Sequence, residues 1–367
     1  MLFTKLVINL KQTVIMRKLK ILIAIISTVC LFQFCTKDNS VETITNGVLE
    51  LPATAYNYVV NYPNHVTTAL VATDNTPTNN RLTNEGATLG RVLFFDKSLS
   101  LNNAINCASC HKQELSFDDD QALSIGFNGG RTSRNSMSLL NLRFYKSGKM
   151  FWDERAASLE EQVLQPIQDH VEMGLTLAQL ESRIKAKDYY PDLFLKAFGS
   201  EIIDSDKIAK ALSQYIRSMV SYQAKYDLVK DGRSTFSASE ARGEQLFLNV
   251  AGPGGQTCAS CHTPPMFITS NPGQGFGLAD VNDTGINGTN RFKSSSLRNI
   301  MNRTSLFHNG SVANVQAMLS AGAPGTGTRP IPQHSIAPQD IQDMISFLNT
   351  LTDATIYSDP KFSNPFK

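Results

Sequence analysis

A five-residue pattern that occurs twice constrains this chain more than any other feature. Cys107-Ala108-Ser109-Cys110-His111 returns unchanged as Cys258-Ala259-Ser260-Cys261-His262. C-x-x-C-H is the attachment site of a c-type haem, in which two cysteines form thioethers and the adjacent histidine ligates iron. A redox C-x-x-C pair or half of a zinc site is the competing reading. Neither explains a histidine placed at once after both pairs. With only 6 Cys in 367 residues, four are spent on these motifs, and Cys30 and Cys35 lie near the N-terminus. The fold must therefore rest on packing and haem burial rather than on disulfides.

Two attachment sites in 367 residues imply two helical units, each built around one covalently bound haem c. The expected class is all-α, with two cytochrome c-like domains. The boundaries read as residues 81–232 and 233–352, preceded by a polar tether and wrap at 36–80 and followed by a tail at 353–367. Few segments alternate as strands do. Apolar spacing starts a helix near Glu85, through Leu89, Val92, Leu93 and Phe94. Capping boxes are expected at Ser158–Glu161 and Ser237–Glu240. A last helix spans 338–351. The halves read as internal repeats: Ser138-Leu139-Leu140-Asn141 returns as Ser296-Leu297-Arg298-Asn299, and Phe151-Trp152-Asp153 as Phe307-His308-Asn309.

The formal net charge of +2 misleads, because residues 1–34 carry five basic side chains and no acid. The 34 basic residues less these five leave 29 against 32 acidic ones, so nothing points to nucleic acid. Residues 1–35 read as an export signal, with a basic run at Met16 to Lys20 and an apolar stretch of 14 residues, Ile21 to Phe34. That stretch is short for a bilayer span. Cys35, followed by a polar run, reads as the lipidation cysteine of a membrane-anchored lipoprotein, although Phe34 is larger than such sites prefer. The expected location is periplasmic.

Further motifs make the chain resemble the bacterial dihaem cytochrome c peroxidases and their relatives, including the dihaem enzyme that matures methylamine dehydrogenase. They are Leu89 to Asp96, Arg134-Asn135-Ser136, Phe151 to Ala156, Gln162, Pro166, Glu172-Met173, Arg291-Phe292-Lys293, Leu297-Arg298-Asn299 and Phe307 to Gly310. The resemblance covers roughly residues 81–352. It implies that hydrogen peroxide is reduced to water at the N-terminal haem. Electrons enter through the C-terminal haem from a small donor, a monohaem cytochrome c or a cupredoxin. It implies distal roles for Gln162 and Glu172, an aromatic position between the haems for Trp152, and Asn135 as side-chain ligand of a calcium ion completed by carbonyls near Arg303 and Ser305. A homodimer is among the assemblies it allows.

Two positions depart from the pattern. A loop histidine that ligates the peroxidatic iron in many members falls here at Phe127, which cannot ligate. The sixth ligand of the C-terminal haem would fall at Gly322; Met318, His334 or no protein ligand are the alternatives. His65 and His170 are expected at the surface, and His308 as a hydrogen-bonding neighbour. Beside peroxide reduction stand two alternatives: a dihaem oxidase or maturase that modifies a protein or organic substrate through high-valent iron, and a pure electron carrier.

Overall fold

The computed structural model describes residues 47–250, 257–269, 284–289, 291–320 and 336–367, and among these the only pairing outside helices and turns is a set of isolated bridges. The described residues form one compact unit. Two helix pairs are its frame. Asn84–Phe95 packs on Ser205–Arg217, and Ala238–Asn249 packs on Ile341–Asn349. Each pair crosses at a glycine: a Cβ on Gly90 would collide with the Ala211 carbonyl, and one on Gly243 with the Asp343 carbonyl. Closely approaching backbones bring the flanking apolar faces into contact, and burial of those faces stabilises the pairs at about 25 cal/mol per Å².

The helix starts follow local chemistry. The Thr83 hydroxyl accepts from the Gly86 amide, and Asp204 accepts from Lys207. Ser237 and Glu240 form the expected capping box. Ser158 caps a short helix, Leu159–Gln162.

Two main apolar clusters result. The first surrounds Leu93, Phe94, Tyr215 and Leu180 and touches Cys107; the second surrounds Phe247, Phe267, Phe347 and Leu351 and touches Cys258. A third, smaller cluster joins Val66, Phe144, Tyr145, Val220, Met266 and Ile268, drawn from both halves and the segment before them.

Residues 47–80 are more ordered than a tether. Asn64–Thr73 is a helix, and its Val66 is fully buried. The reason is tertiary: this helix has a weakly apolar composition and is held by docking against the third cluster. His65 is partly buried rather than a surface group. It bridges Asp227 and Asp231 at 3.0 Å each, and Asp227 is itself the buried partner of Arg298. Residues 353–367 are likewise not a loose tail. Ile356, Phe362 and Phe366 complete the first cluster, and the Val48 and Lys367 backbones exchange hydrogen bonds at 2.7 and 3.0 Å. Short apolar runs without helical period gave no warning of either docking.

The repeat seen in the sequence recurs as geometry. Asn141 and Asn299 both adopt left-handed backbone angles ahead of a short 3₁₀ turn. Ser138 and Ser296 hydroxyls donate to the carbonyls of Ser116 and Met266. Across the two halves, the Asn135 amide donates to the His308 carbonyl at 2.7 Å and the Lys293 amide to the Trp152 carbonyl at 2.8 Å. These bonds cross and set Trp152 beside His308.

Candidate functional site

Both C-x-x-C-H motifs lie on single helical turns, Cys107–Cys110 and Cys258–Cys261, with the histidine as C-cap. Asn106 and Ser109 cap the first turn reciprocally. The ring nitrogen Nδ1 of His111 lies 3.0 Å from the Phe117 carbonyl, and that of His262 lies 3.1 Å from the Ser295 carbonyl. A carbonyl only accepts, so Nδ1 carries the proton in both rings and Nε2 is the nitrogen with a lone pair to offer iron. Burial lowers the His111 pKa, which keeps the imidazole neutral as ligation requires.

The cysteines fit thioethers and not thiolates. Burial pushes Cys107 up to about 12 and Cys110 and Cys258 up to about 11. A reactive redox pair would sit near cationic groups that lower these values. Among the described residues no cluster of three or more Cys, His, Asp or Glu could hold a bare metal ion. Both sites therefore suit haem c.

Glu172 stands at the first motif. Its charge acts on both Cys107 and Cys110. Burial first, then repulsion from Asp169, raises its pKa to about 7, and Arg155 partly opposes this. Asp169 holds the loop by accepting from the Val171 and Glu172 amides at 2.7 and 3.1 Å. Gln162 is half-buried at the end of its helix. His170 is exposed.

Phe127 stands next to this loop. Its amide donates to the Glu172 carbonyl at 2.9 Å, and its ring lies against Gly174. Asn102 fixes the Phe127 carbonyl from the other side at 2.7 Å.

Trp152 is 8% exposed and sits where the halves cross. Its indole N–H donates to the Asn135 carbonyl at 2.8 Å, and its ring meets His308 edge-on with centroids 6.4 Å apart. His308 stacks on Phe292 at 3.7 Å. Met318 lies on the helix Val315–Ser320 and packs against the same cluster as Cys258. His334 and Gly322, like Cys30 and Cys35, lie outside the described residues.

The buried Asn135 amide nitrogen faces three oxygens, Ser305 Oγ at 2.8 Å and the carbonyls of Ala122 and Gln121 at 2.9 and 3.4 Å. It has two protons for three acceptors. The Arg303 guanidinium is 3.5 Å from Asn135 Oδ1 and pairs with buried Asp118.

Glu154 and Lys293 lie in motifs the sequence offered, but their buried grouping with Tyr145 beside Trp152 was not foreseen. A signal was Glu154, which stands where the second repeat has Gly310.

A helical chain with two haem c sites, one of them beside a half-buried carboxylate, is a dihaem c-type oxidoreductase. The profile of the di-haem cytochrome c peroxidase family matches residues 84–235. The methylamine utilization protein MauG of Methylorubrum extorquens is 33% identical over 292 residues, 75% of this chain and 80% of that one. The cytochrome c551 peroxidase of Nitrosomonas europaea is 29% identical over 281 residues, 72% of this chain and 79% of that one. Among solved structures, a MauG-like protein associated with microbial copper homeostasis superposes with a TM-score of 0.71 at 27% identity, covering 85% of this chain and all of that one. The chain belongs to the di-haem cytochrome c peroxidase family, and so carries two haem c groups.

Proposed function

We infer that the chain is an exported peroxidase that reduces hydrogen peroxide to water at the N-terminal haem, with electrons delivered through the C-terminal haem by a small cytochrome or cupredoxin. The observation that carries this reading is Glu172, a half-buried carboxylate whose charge acts on both cysteines of the first attachment motif. What the haem supplies when bound is an iron that can ligate peroxide and change oxidation state.

The chain's own residues manage the protons. Ionised Glu172 would accept a proton from one peroxide oxygen and return it to the oxygen that departs as water. Its value near 7 leaves it able to do both. The Gln162 amide orients peroxide by hydrogen bonding without adding charge. Phe127 offers no lone pair, so this loop position would not ligate the iron of a bound haem. Trp152 provides the ring through which electrons cross between the halves.

Met318 is our choice for the second haem's remaining ligand, because it packs against the same apolar cluster as Cys258. Calcium has neutral oxygens available at Asn135 and Ser305, with Arg303 as a nearby competing cation. The described residues contain no helix long and apolar enough to cross a membrane, and anchoring is assigned to Cys35. The named activities of the relatives, peroxide reduction in one and methylamine utilisation in another, leave protein-directed oxidation as the second reading, favoured by the always-open site.

Three outcomes test these assignments. Glu172→Gln lowers kcat/KM for peroxide by about 10²–10⁴-fold. In the wild type kcat/KM falls on acidification through the region near 7, about tenfold per pH unit below it, because the base must be ionised; a flat acid limb, or a variant of full activity, refutes the role. Met318→Ala abolishes a thioether-to-iron absorption band, and an unchanged spectrum removes Met318. Chelation lowers interhaem electron transfer and Ca²⁺ restores it; indifference to chelator shows that Arg303 suffices.

A further inference from the structure

The loops 150–156 and 306–312 follow the same backbone path. Each is closed by a bridge, Met150 to Ala156 and Leu306 to Val312. Phe151 and Phe307 are both left-handed, at φ 69° and 68°. Three residues later the backbone is left-handed again, at Gly310 with φ 63° and at Glu154 with φ 57°. Glycine takes this conformation freely, whereas a residue with a Cβ is sterically strained there. The first loop accepts that cost and also buries the carboxylate, which is 7% exposed.

What the strained residue gains is a specific contact. The Tyr145 hydroxyl donates to Glu154 Oε1. Glu154 Oε2 has no hydrogen-bond partner among the described residues. Lys293 lies over the phenol ring, its Nζ 3.8 Å from the ring centre. That ammonium donates to the Lys149 carbonyl at 2.9 Å and to Met150 Sδ at 3.3 Å. Tyr145 and Lys293 are 1% and 3% exposed. Burial pushes Lys293 down to about 7, opposed by Glu154, and pushes Tyr145 up. The Lys293 amide is bonded to the Trp152 carbonyl, so the group adjoins the aromatic bridge between the halves.

Oxidising a buried phenol in place would create a cation radical, which low-dielectric surroundings disfavour strongly. A base already hydrogen-bonded to the hydroxyl removes that obstacle. A purely structural bond would need neither an ionisable acceptor nor a strained backbone, since a carbonyl would serve.

We propose that Tyr145 is a redox-active residue of this chain, losing one electron during peroxide turnover while its proton moves along the hydrogen bond to Glu154. The phenolic O–H bond breaks and an O–H bond forms on the carboxylate, leaving a neutral tyrosyl radical and a carboxylic acid. The oxidant is a haem that has given its electrons to peroxide, reached directly or through Trp152. An electron from the donor protein reverses the step, and the proton returns. The inference deepens the peroxidase reading and rests on it.

The test uses the full haem-loaded chain, mixed with hydrogen peroxide, rapidly frozen and examined by EPR, with optical spectra of the same samples. The expected result is an organic radical whose hyperfine splitting collapses when the protein is made with ring-deuterated tyrosine. Tyr145→Phe and Glu154→Gln both lose it, with haem content and Soret spectra unchanged. The labelled wild type needs no variant, so a misfolded variant does not spoil the test. Haem spectra that respond to peroxide without a tyrosine-derived radical, or with one that persists in Tyr145→Phe, overturn the assignment and leave the peroxidase reading standing. Haem spectra indifferent to peroxide overturn both.

Discussion

Two crossed backbone hydrogen bonds hold the functional geometry together: Asn135 to the His308 carbonyl and Lys293 to the Trp152 carbonyl. They join equivalent positions of the repeats, so each half positions the other's aromatic loop. Breaking one would free a buried carbonyl at a cost of about 1–3 kcal/mol and loosen Trp152 against His308. The Trp152–His308 contact between the halves is therefore fixed by main chain, and its side chains remain available for chemistry.

Buried charge reinforces this docking. Arg298 and Asp227 are both 0% exposed and doubly bonded, at 2.5 and 2.8 Å, and His65 adds the preceding segment to the pair. Arg303 joins Asp118 across the halves. Such pairs add little net stability over apolar packing, but removing one partner leaves a stranded charge at a cost of about 3–5 kcal/mol. They select one arrangement of the halves over slipped alternatives.

The attachment motifs, the main helices, their caps and the class of protein were legible in the sequence because each is local. Spacing within five residues defines the haem sites, and Ser237 with Glu240 defines a helix start. The helix at 64–73 and the packing of 353–367 were not legible, since tertiary docking rather than periodicity creates them. At the site, Glu172 and Trp152 could be named from motifs, and the structure puts Glu172 at Cys107 and Cys110. Tyr145 carries no motif, and Lys293 lies in one that says nothing of a partner; nothing short of the fold brings them to Glu154.

The central claim is that the first haem keeps an open position facing Glu172, because Phe127 replaces a potential ligand. Low-temperature EPR of the fully ferric, haem-loaded protein tests it most directly, repeated after half-reduction. The account predicts one high-spin haem before any electron is added. Two low-spin haems, one turning high-spin only on half-reduction, would contradict it and show that another residue occupies the iron.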